Sequence, residues 1–167
     1  MNIATLSKKN HSIAFSFVEM LVVIAIVFVI LASAGGMFVF LRTIRATQSL
    51  NQAGQAVKYR LEEARSLTVA SKNGLAYGVH LESAKVVLFV GPSYVAGAST
   101  NQTTLFDTSV TIPASGGINL TPAGSDVLFS RVTGAASKSG TIVVSQVASS
   151  TRKLTITLSL TGLVSIR

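Results

Sequence analysis

From Ile13 to Leu41 the chain is apolar, and Glu19 is the one charged residue in that run. A carboxylate placed in such a run costs on the order of +3 kcal/mol at the centre of a bilayer, and less near an end, where it can snorkel or take up a proton. A chain that keeps it is expected to use it. Other chemistry-bearing residues are sparse. The two histidines are His11, near the N-terminus, and His80, in a predicted strand with no second imidazole to complete a metal site. Cysteine is absent, which excludes disulfides and thiolate metal centres. Of the remaining carboxylates, Glu62, Glu63, Glu82, Asp107 and Asp126, only Glu62 and Glu63 are adjacent, and neighbours on a helix point to different faces. No phosphate-cradling glycine loop, nucleophile elbow, zinc helix or acidic calcium loop is present. These residues imply a non-enzymatic protein with no cofactor, no metal and no small-molecule substrate.

The element that must hold Glu19 is a helix. Spanning a bilayer takes roughly 20 apolar residues, and the run from Ile13 is long enough. Ahead of it, Met1 to Ala14 is short, mostly polar and carries Lys8 and Lys9, like a leader retained on the cytoplasmic side. Arg42 and Arg45 mark the far boundary. Beyond them Ile44, Leu50, Val57, Leu61, Ala64 and Leu67 recur at helical spacing, so the pattern from Thr43 to Ser71 predicts an amphipathic helix lying with one face on a domain. Asn73-Gly74 is a stop signal. Read as one element from Ile13 to Lys72, the helix would be about 90 Å long. Gly54 and the Gly35-Gly36 pair each cost roughly 1 kcal/mol relative to Ala in a helix interior, and the pair marks either a weak point or a place of close helix approach.

After Gly74 the pattern becomes one of short strands. Tyr77 to Leu81 and Lys85 to Val90 predict a hairpin across Glu82-Ser83-Ala84, and Gly91-Pro92 ends it. Ser93 to Thr103, rich in Ala, Ser, Gly and Thr, predicts a loop. Further strands are expected at Thr104 to Phe106, Val110 to Ile112, Gly117 to Leu120, Asp126 to Ser130, Gly140 to Gln146, Arg152 to Leu158 and Gly162 to Ile166, the last two closing as a hairpin. Leu154, Ile156 and Leu158 alternate with Lys153, Thr155 and Thr157, which predicts one buried and one wet face. The net charge is +8, from 14 basic and 6 acidic side chains. Once the bilayer-flanking and helix-interleaved cations are set aside, Arg131, Lys138, Arg152, Lys153 and Arg167 are the candidate basic cluster, with Lys72 and Lys85 standing alone. Few aromatics are interleaved with them, so nucleic-acid binding is expected to be weak or absent.

Ala14-Phe15 followed by Ser16-Phe17-Val18-Glu19-Met20-Leu21-Val22-Val23-Ile24-Ala25 resembles the N-terminal signature of type IV pilins and type II secretion pseudopilins. The downstream order extends the likeness. Arg60-Leu61-Glu62-Glu63-Ala64-Arg65-Ser66, a two-strand hairpin, Ser137-Lys138-Ser139-Gly140-Thr141-Ile142, Leu154-Thr155-Ile156-Thr157 and Gly162-Leu163-Val164-Ser165-Ile166 are together similar to GspH/FimT-like minor pseudopilins. The resemblance implies cleavage by a prepilin peptidase between Ala14 and Phe15 and methylation of the new N-terminus at Phe15. It also implies a role for Glu19 in assembly, since an unpaired buried amine on a neighbour's Phe15 would be strongly unfavourable and a carboxylate at nearly the same depth could pair with it. The residue before the cut is usually Gly; Ala14 places a Cβ there. Pilins commonly close a C-terminal loop with a disulfide, which this chain cannot do.

The expected architecture is α+β, a long N-terminal helix packed on a C-terminal antiparallel β-rich domain. Its parts are a leader at 1–14, a transmembrane or filament-core helix at 15–41, an amphipathic half at 42–73 and a β-rich domain at 74–167. The expected function is that of a minor pilin or pseudopilin whose partners are other such subunits, the prepilin peptidase and inner-membrane lipid, with the β-rich domain exported. The alternative is a secreted or pilus-tip binding module for DNA uptake or adhesion. Leu31-Ala32-Ser33-Ala34 resembles a secretory cleavage site that would release a chain starting at Gly35. Against release, the apolar run continues through Met37 to Leu41 and Glu19 intrudes near its start.

Overall fold

The computed structural model describes residues 16–167, apart from the side chains of 33–40, 42 and 150. The leader at 1–14 and Phe15 lie outside the described residues. A 53-residue helix, α1, runs Phe17–Val69, followed by a short 3-10 turn at Lys72–Gly74. Nine strands follow: β1 Tyr77–Glu82, β2 Lys85–Val90, β3 Gln102–Leu105, β4 Val110–Thr111, β5 Ile118–Thr121, β6 Asp126–Leu128, β7 Ser139–Gln146, β8 Ser149–Leu158 and β9 Val164–Ile166. The chain divides into a unit ending at Arg42 and a compact unit of Thr43–Arg167.

In the second unit, the residues of α1 that are buried follow helical geometry. Leu50, Ala53, Val57, Leu61, Ala64 and Thr68 fall three or four apart, hence on one stripe, and all are buried. Thr68 is the polar member. Its hydroxyl donates to the Ala64 carbonyl at 2.7 Å and accepts from the Tyr77 amide at 3.0 Å, so a fully buried hydroxyl carries no unpaired penalty and ties the end of α1 to the start of β1. The helix ends two residues before Ser71. Ser71, Asn73 and Gly74 then take positive φ angles of 49°, 54° and 65°, and the chain reverses through a left-handed turn.

Two antiparallel sheets share this stripe. One has the order β3-β2-β1-β6; the other has β4-β7-β8-β9, with β5 also pairing β7. Tyr77, Val79 and Leu81 of β1 and Val86 and Leu88 of β2 join Ile142 and Val144 of β7, Ile156 and Leu158 of β8 and the helix stripe in a single core. The alternation expected in β8 is present, with Ile156 and Leu158 buried and Lys153 and Thr157 exposed. The hairpin β1–β2 pairs Glu82 with Lys85, so its turn is Ser83-Ala84.

Several boundaries differ from the expected ones, each for a local reason. Strand β3 begins at Gln102, inside the expected 93–103 loop, because Gln102 and Thr103 pair with Leu88 and Val87. Arg60 of α1 reinforces this edge, donating to the Thr104 hydroxyl at 2.9 Å and the Gln102 side-chain oxygen at 3.1 Å. Strand β8 begins at Ser149, three residues early, because β7 folds back through a tight turn pairing Gln146 with Ser149. Strand β9 begins only at Val164, since Gly162 closes a turn onto the Ser159 carbonyl at φ 78°. Ile44 was expected to lie on the sheets but is 38% exposed. The β-domain reaches back along α1 to Thr47, whose hydroxyl accepts from Arg152 at 3.1 Å, and Ile44 lies almost a turn earlier.

Two glycines mark close approaches. A Cβ on Gly78 would collide with the Phe89 ring and stand 2.9 Å from the Val127 carbonyl oxygen, which belongs to rigid backbone. On Gly54 it would meet Cδ1 of Leu154 at 3.0 Å, the movable end of a side chain. Gly78→Ala should therefore destabilise the domain by about 1–3 kcal/mol through overpacking. Gly54→Ala should change stability by less than about 1 kcal/mol, because the gain in helix propensity offsets the displacement of Leu154. Urea unfolding of a fragment covering 43–167, which should melt cooperatively without the apolar half of α1, checks both values.

Candidate functional site

Within the unit ending at Arg42, α1 presents apolar side chains on every side. Phe17, Val18, Met20, Leu21, Val22, Val23, Ile24 and their successors to Leu31 are all exposed, from 44% at Ile24 to 78% at Phe17. A helix apolar all round is stable only when lipid or other helices cover it. Glu19 sits exposed in its first turn, where a carboxylate is favoured by the helix dipole. Ser16 opens the helix by accepting from the Met20 amide at 3.1 Å. Ala14 and Phe15, the expected cleavage and methylation residues, lie outside the described residues, so their distance to Glu19 is not part of this geometry. Among the described residues no helix is long and apolar enough to cross a membrane. The fully described apolar stretch, 17–32, is shorter than the roughly 20 residues that a span takes; within the expected 15–41 segment, Phe15 and the side chains of 33–40 lie outside what is described.

The second unit holds the polar clusters. His80, read in the sequence as a strand histidine with no second imidazole, has carboxylate and aromatic neighbours. Its Nδ1 contacts the Asp126 carboxylate on β6, its Nε2 lies 3.4 Å from Oε1 of Glu82, and the Tyr94 ring stacks on it with centroids 3.9 Å apart. Lys85, expected to stand alone, pairs with the same Glu82 oxygen at 3.2 Å. Alternation along β1 places His80 and Glu82 on one face, but Asp126 and Tyr94 come from distant segments and no local spacing announces them.

The two carboxylates flank opposite nitrogens of one ring, so no single ion could be shared, and among the described residues no group of three or more His, Asp or Glu could hold a metal. An open hollow at the C-terminal end of α1 is lined by Glu62, Arg65, Ser66, Val69, Ala70 and Thr133, with no imidazole to activate either hydroxyl. Asp107, fully exposed, accepts from the side chain and amide of Ser109, and these hydrogen bonds hold its pKa below the ordinary 3.8. The small stabilisation of that turn is present above the ordinary value and is lost as pH falls through the lowered one.

The expected basic cluster is dispersed. Arg152 turns to Thr47 on α1, Lys138 donates to the Ala123 carbonyl at 3.2 Å, and Arg131 lies in the exposed turn before Gly134. Lys153 and Arg167 alone share a surface, the outer face of the β7-β8-β9 sheet, where Arg167 bonds the Thr155 backbone two residues from Lys153. Glu62 pairs with Lys58 at 3.7 Å and Glu63 with Arg60 at 2.6 Å, so the helix cations are partly neutralised in place.

No family model and no curated protein matches this sequence. Among solved structures, the chain is similar to the type IV minor pilin FimU of Pseudomonas aeruginosa strain PAO1. The TM-score is 0.52 at 16% sequence identity, and the match covers 71% of this chain and 92% of that one. The fold is therefore pilin-like: a helix with antiparallel sheets packed on its C-terminal half.

Strands β7, β8 and β9 carry no aromatic residue beside Lys153 and Arg167, whereas single strands are bound on ring platforms and duplexes through many phosphate contacts. Fluorescence titration of labelled single- and double-stranded DNA should give at most weak binding without sequence preference, lost between roughly 50 and 200 mM salt. Sub-micromolar binding that survives the higher salt and disappears in Lys153→Ala would contradict this charge layout.

Proposed function

We propose that this chain is a structural subunit of a type IV pilus or type II secretion pseudopilus, a minor pilin or pseudopilin without enzymatic activity. The observation that carries the reading is the pairing of a pilin-like domain with a helix that leaves its apolar side chains uncovered on every side from Phe17 to Leu31. Such a surface needs lipid before assembly and neighbouring helices after it. In this reading a prepilin peptidase cuts between Ala14 and Phe15, and the new N-terminus is methylated. The helix over 15–41 then holds the protein in the bacterial inner membrane with the domain exported, until assembly draws it into a filament at the cell surface or in the periplasm. Its partners are other pilin or pseudopilin subunits, the peptidase and lipid.

Glu19 sets the stagger between subunits. Four residues separate it from Phe15, so in a side-by-side bundle it supplies the counter-charge for a neighbour's N-terminal amine at nearly its own depth. In an apolar setting an amine without that partner is strongly unfavourable.

Mass spectrometry of the mature chain tests the processing step. A mass beginning at methylated Phe15 supports the filament subunit, whereas one beginning at Gly35 selects a released binding module. Glu19→Ala should leave membrane insertion intact or improved, because a costly charge is removed. Its incorporation into filaments beside wild type should fall, and equal incorporation would rule out the pairing.

A further inference from the structure

The face of the β3-β2-β1-β6 sheet that points away from α1 has its own small apolar patch. Val87 and Phe89 are each 1% exposed, yet neither belongs to the core built on the helix stripe. They alternate with Val86 and Leu88 on β2, so they face the opposite side. Gly78, opposite Phe89 in the register, leaves the space that the Phe89 ring occupies. Tyr94, in the segment between β2 and β3, meets the Phe89 ring edge-on at 5.9 Å and stacks on His80 with an interplanar angle of 9°. The same segment is internally braced: Asn101 donates from its backbone to Ala98 and from its side chain to the Val95 carbonyl. It is thus a compact cover seated on one imidazole.

That imidazole sits in an unbalanced electrostatic setting. The groups facing it are Asp126 from β6, Glu82 from its own strand, Lys85 from β2 through Glu82, and the Tyr94 ring from the cover. Two carboxylates are offset by one lysine. A cationic ring has an N–H for each carboxylate and a charge to place against the Tyr94 π face. A neutral ring has a single N–H. If Asp126 keeps it, the lone pair of Nε2 faces Oε1 of Glu82, an oxygen that also lies 3.2 Å from Nζ of Lys85 and 3.5 Å from the Tyr94 hydroxyl. With a neutral ring, Glu82 would be repelled at Nε2 and still attracted to Lys85, which would weaken both contacts of Tyr94, with the ring charge and with this carboxylate.

We propose that the 91–101 segment is a proton-linked cover, held closed over Val87 and Phe89 while His80 is a cation and loosened when His80 is neutral. Opening would bare the apolar side chains of Val87 and Phe89 next to the β3 edge.

Hydrogen–deuterium exchange on the full-length chain in detergent, at about pH 5 and about pH 8 and corrected for intrinsic exchange, reads the cover directly. Protection of peptides spanning 91–101 should be lower at the higher pH by a factor of about three to ten, as expected for loss of one charge-assisted contact. Peptides from β7 and β8, far from His80 in the pairing order, should not change. In His80→Gln the pH difference should vanish, and in Glu82→Gln, which keeps the ring, it should shrink. Protection of 91–101 that is independent of pH in the wild type, or a pH difference that persists in both variants, would overturn the proposal. If His80→Gln does not fold, the Glu82→Gln comparison alone decides: the substitution removes the carboxylate on which the argument depends, and an unchanged pH difference there overturns the proposal.

Discussion

Everything in the globular unit is fastened to one stripe of α1. Leu50, Ala53, Val57, Leu61, Ala64 and Thr68 are covered by strands from both sheets, which meet the helix in one shared core instead of packing as a separate sandwich. The stripe is narrow and includes two alanines, so the sheets come close to the helix backbone. Truncating a buried leucine such as Leu61 would open a cavity and cost about 2–5 kcal/mol, a large share of the stability of a domain this size. Polar contacts then fix the position along the stripe. Thr68 locks one end to Tyr77, Arg60 clasps the β3 edge, Arg65 donates to the Gly134 carbonyl at 3.1 Å, and Arg152 reaches Thr47.

The N-terminal half of α1 meets the opposite condition. Its apolar residues have no stripe because they cover the whole circumference, and Glu19 alone among the described side chains of 17–32 is charged. The same secondary structure thus serves two solvents. Where the helix is amphipathic it is completed by its own chain, and where it is apolar throughout it must be completed by something else. The covered stripe begins at Leu50, beyond the unit boundary between Arg42 and Thr43.

Much of this was legible in the sequence, because the signals were local. The period of three and four from Leu50 to Ala64, the Asn73-Gly74 stop, the β1–β2 hairpin and the alternation of Leu154, Ile156 and Leu158 each follow from residues within a few positions of one another. Thr68 escaped notice because a hydroxyl reads as polar until its two partners are known. Strand edges at Gln102 and Ser149 were missed because pairing partners decide them and local propensity does not. The grouping of His80 with Asp126, 46 residues away, carries no spacing signal at all. The candidate basic cluster was reached by setting other cations aside, and sequence gives no account of where the remaining ones meet: even the consecutive Arg152 and Lys153 point to opposite sides of their strand.

The distance along the chain between the helix stripe and its cover has a consequence for how the molecule is made. Gly54 rests against Leu154, and Arg152 bonds a residue 105 positions earlier. A ribosome releases the helix first and β7–β8 among the last elements, at roughly 5–20 residues per second. For several seconds the stripe from Leu50 to Ala64 is therefore complete but only partly covered, with the β3-β2-β1-β6 sheet available before the β7–β8 sheet. Contacts this non-local also close slowly once all parts exist. Until β7 and β8 arrive, the apolar stripe of α1 is exposed surface of the kind that favours aggregation, and its burial waits on the last third of the chain.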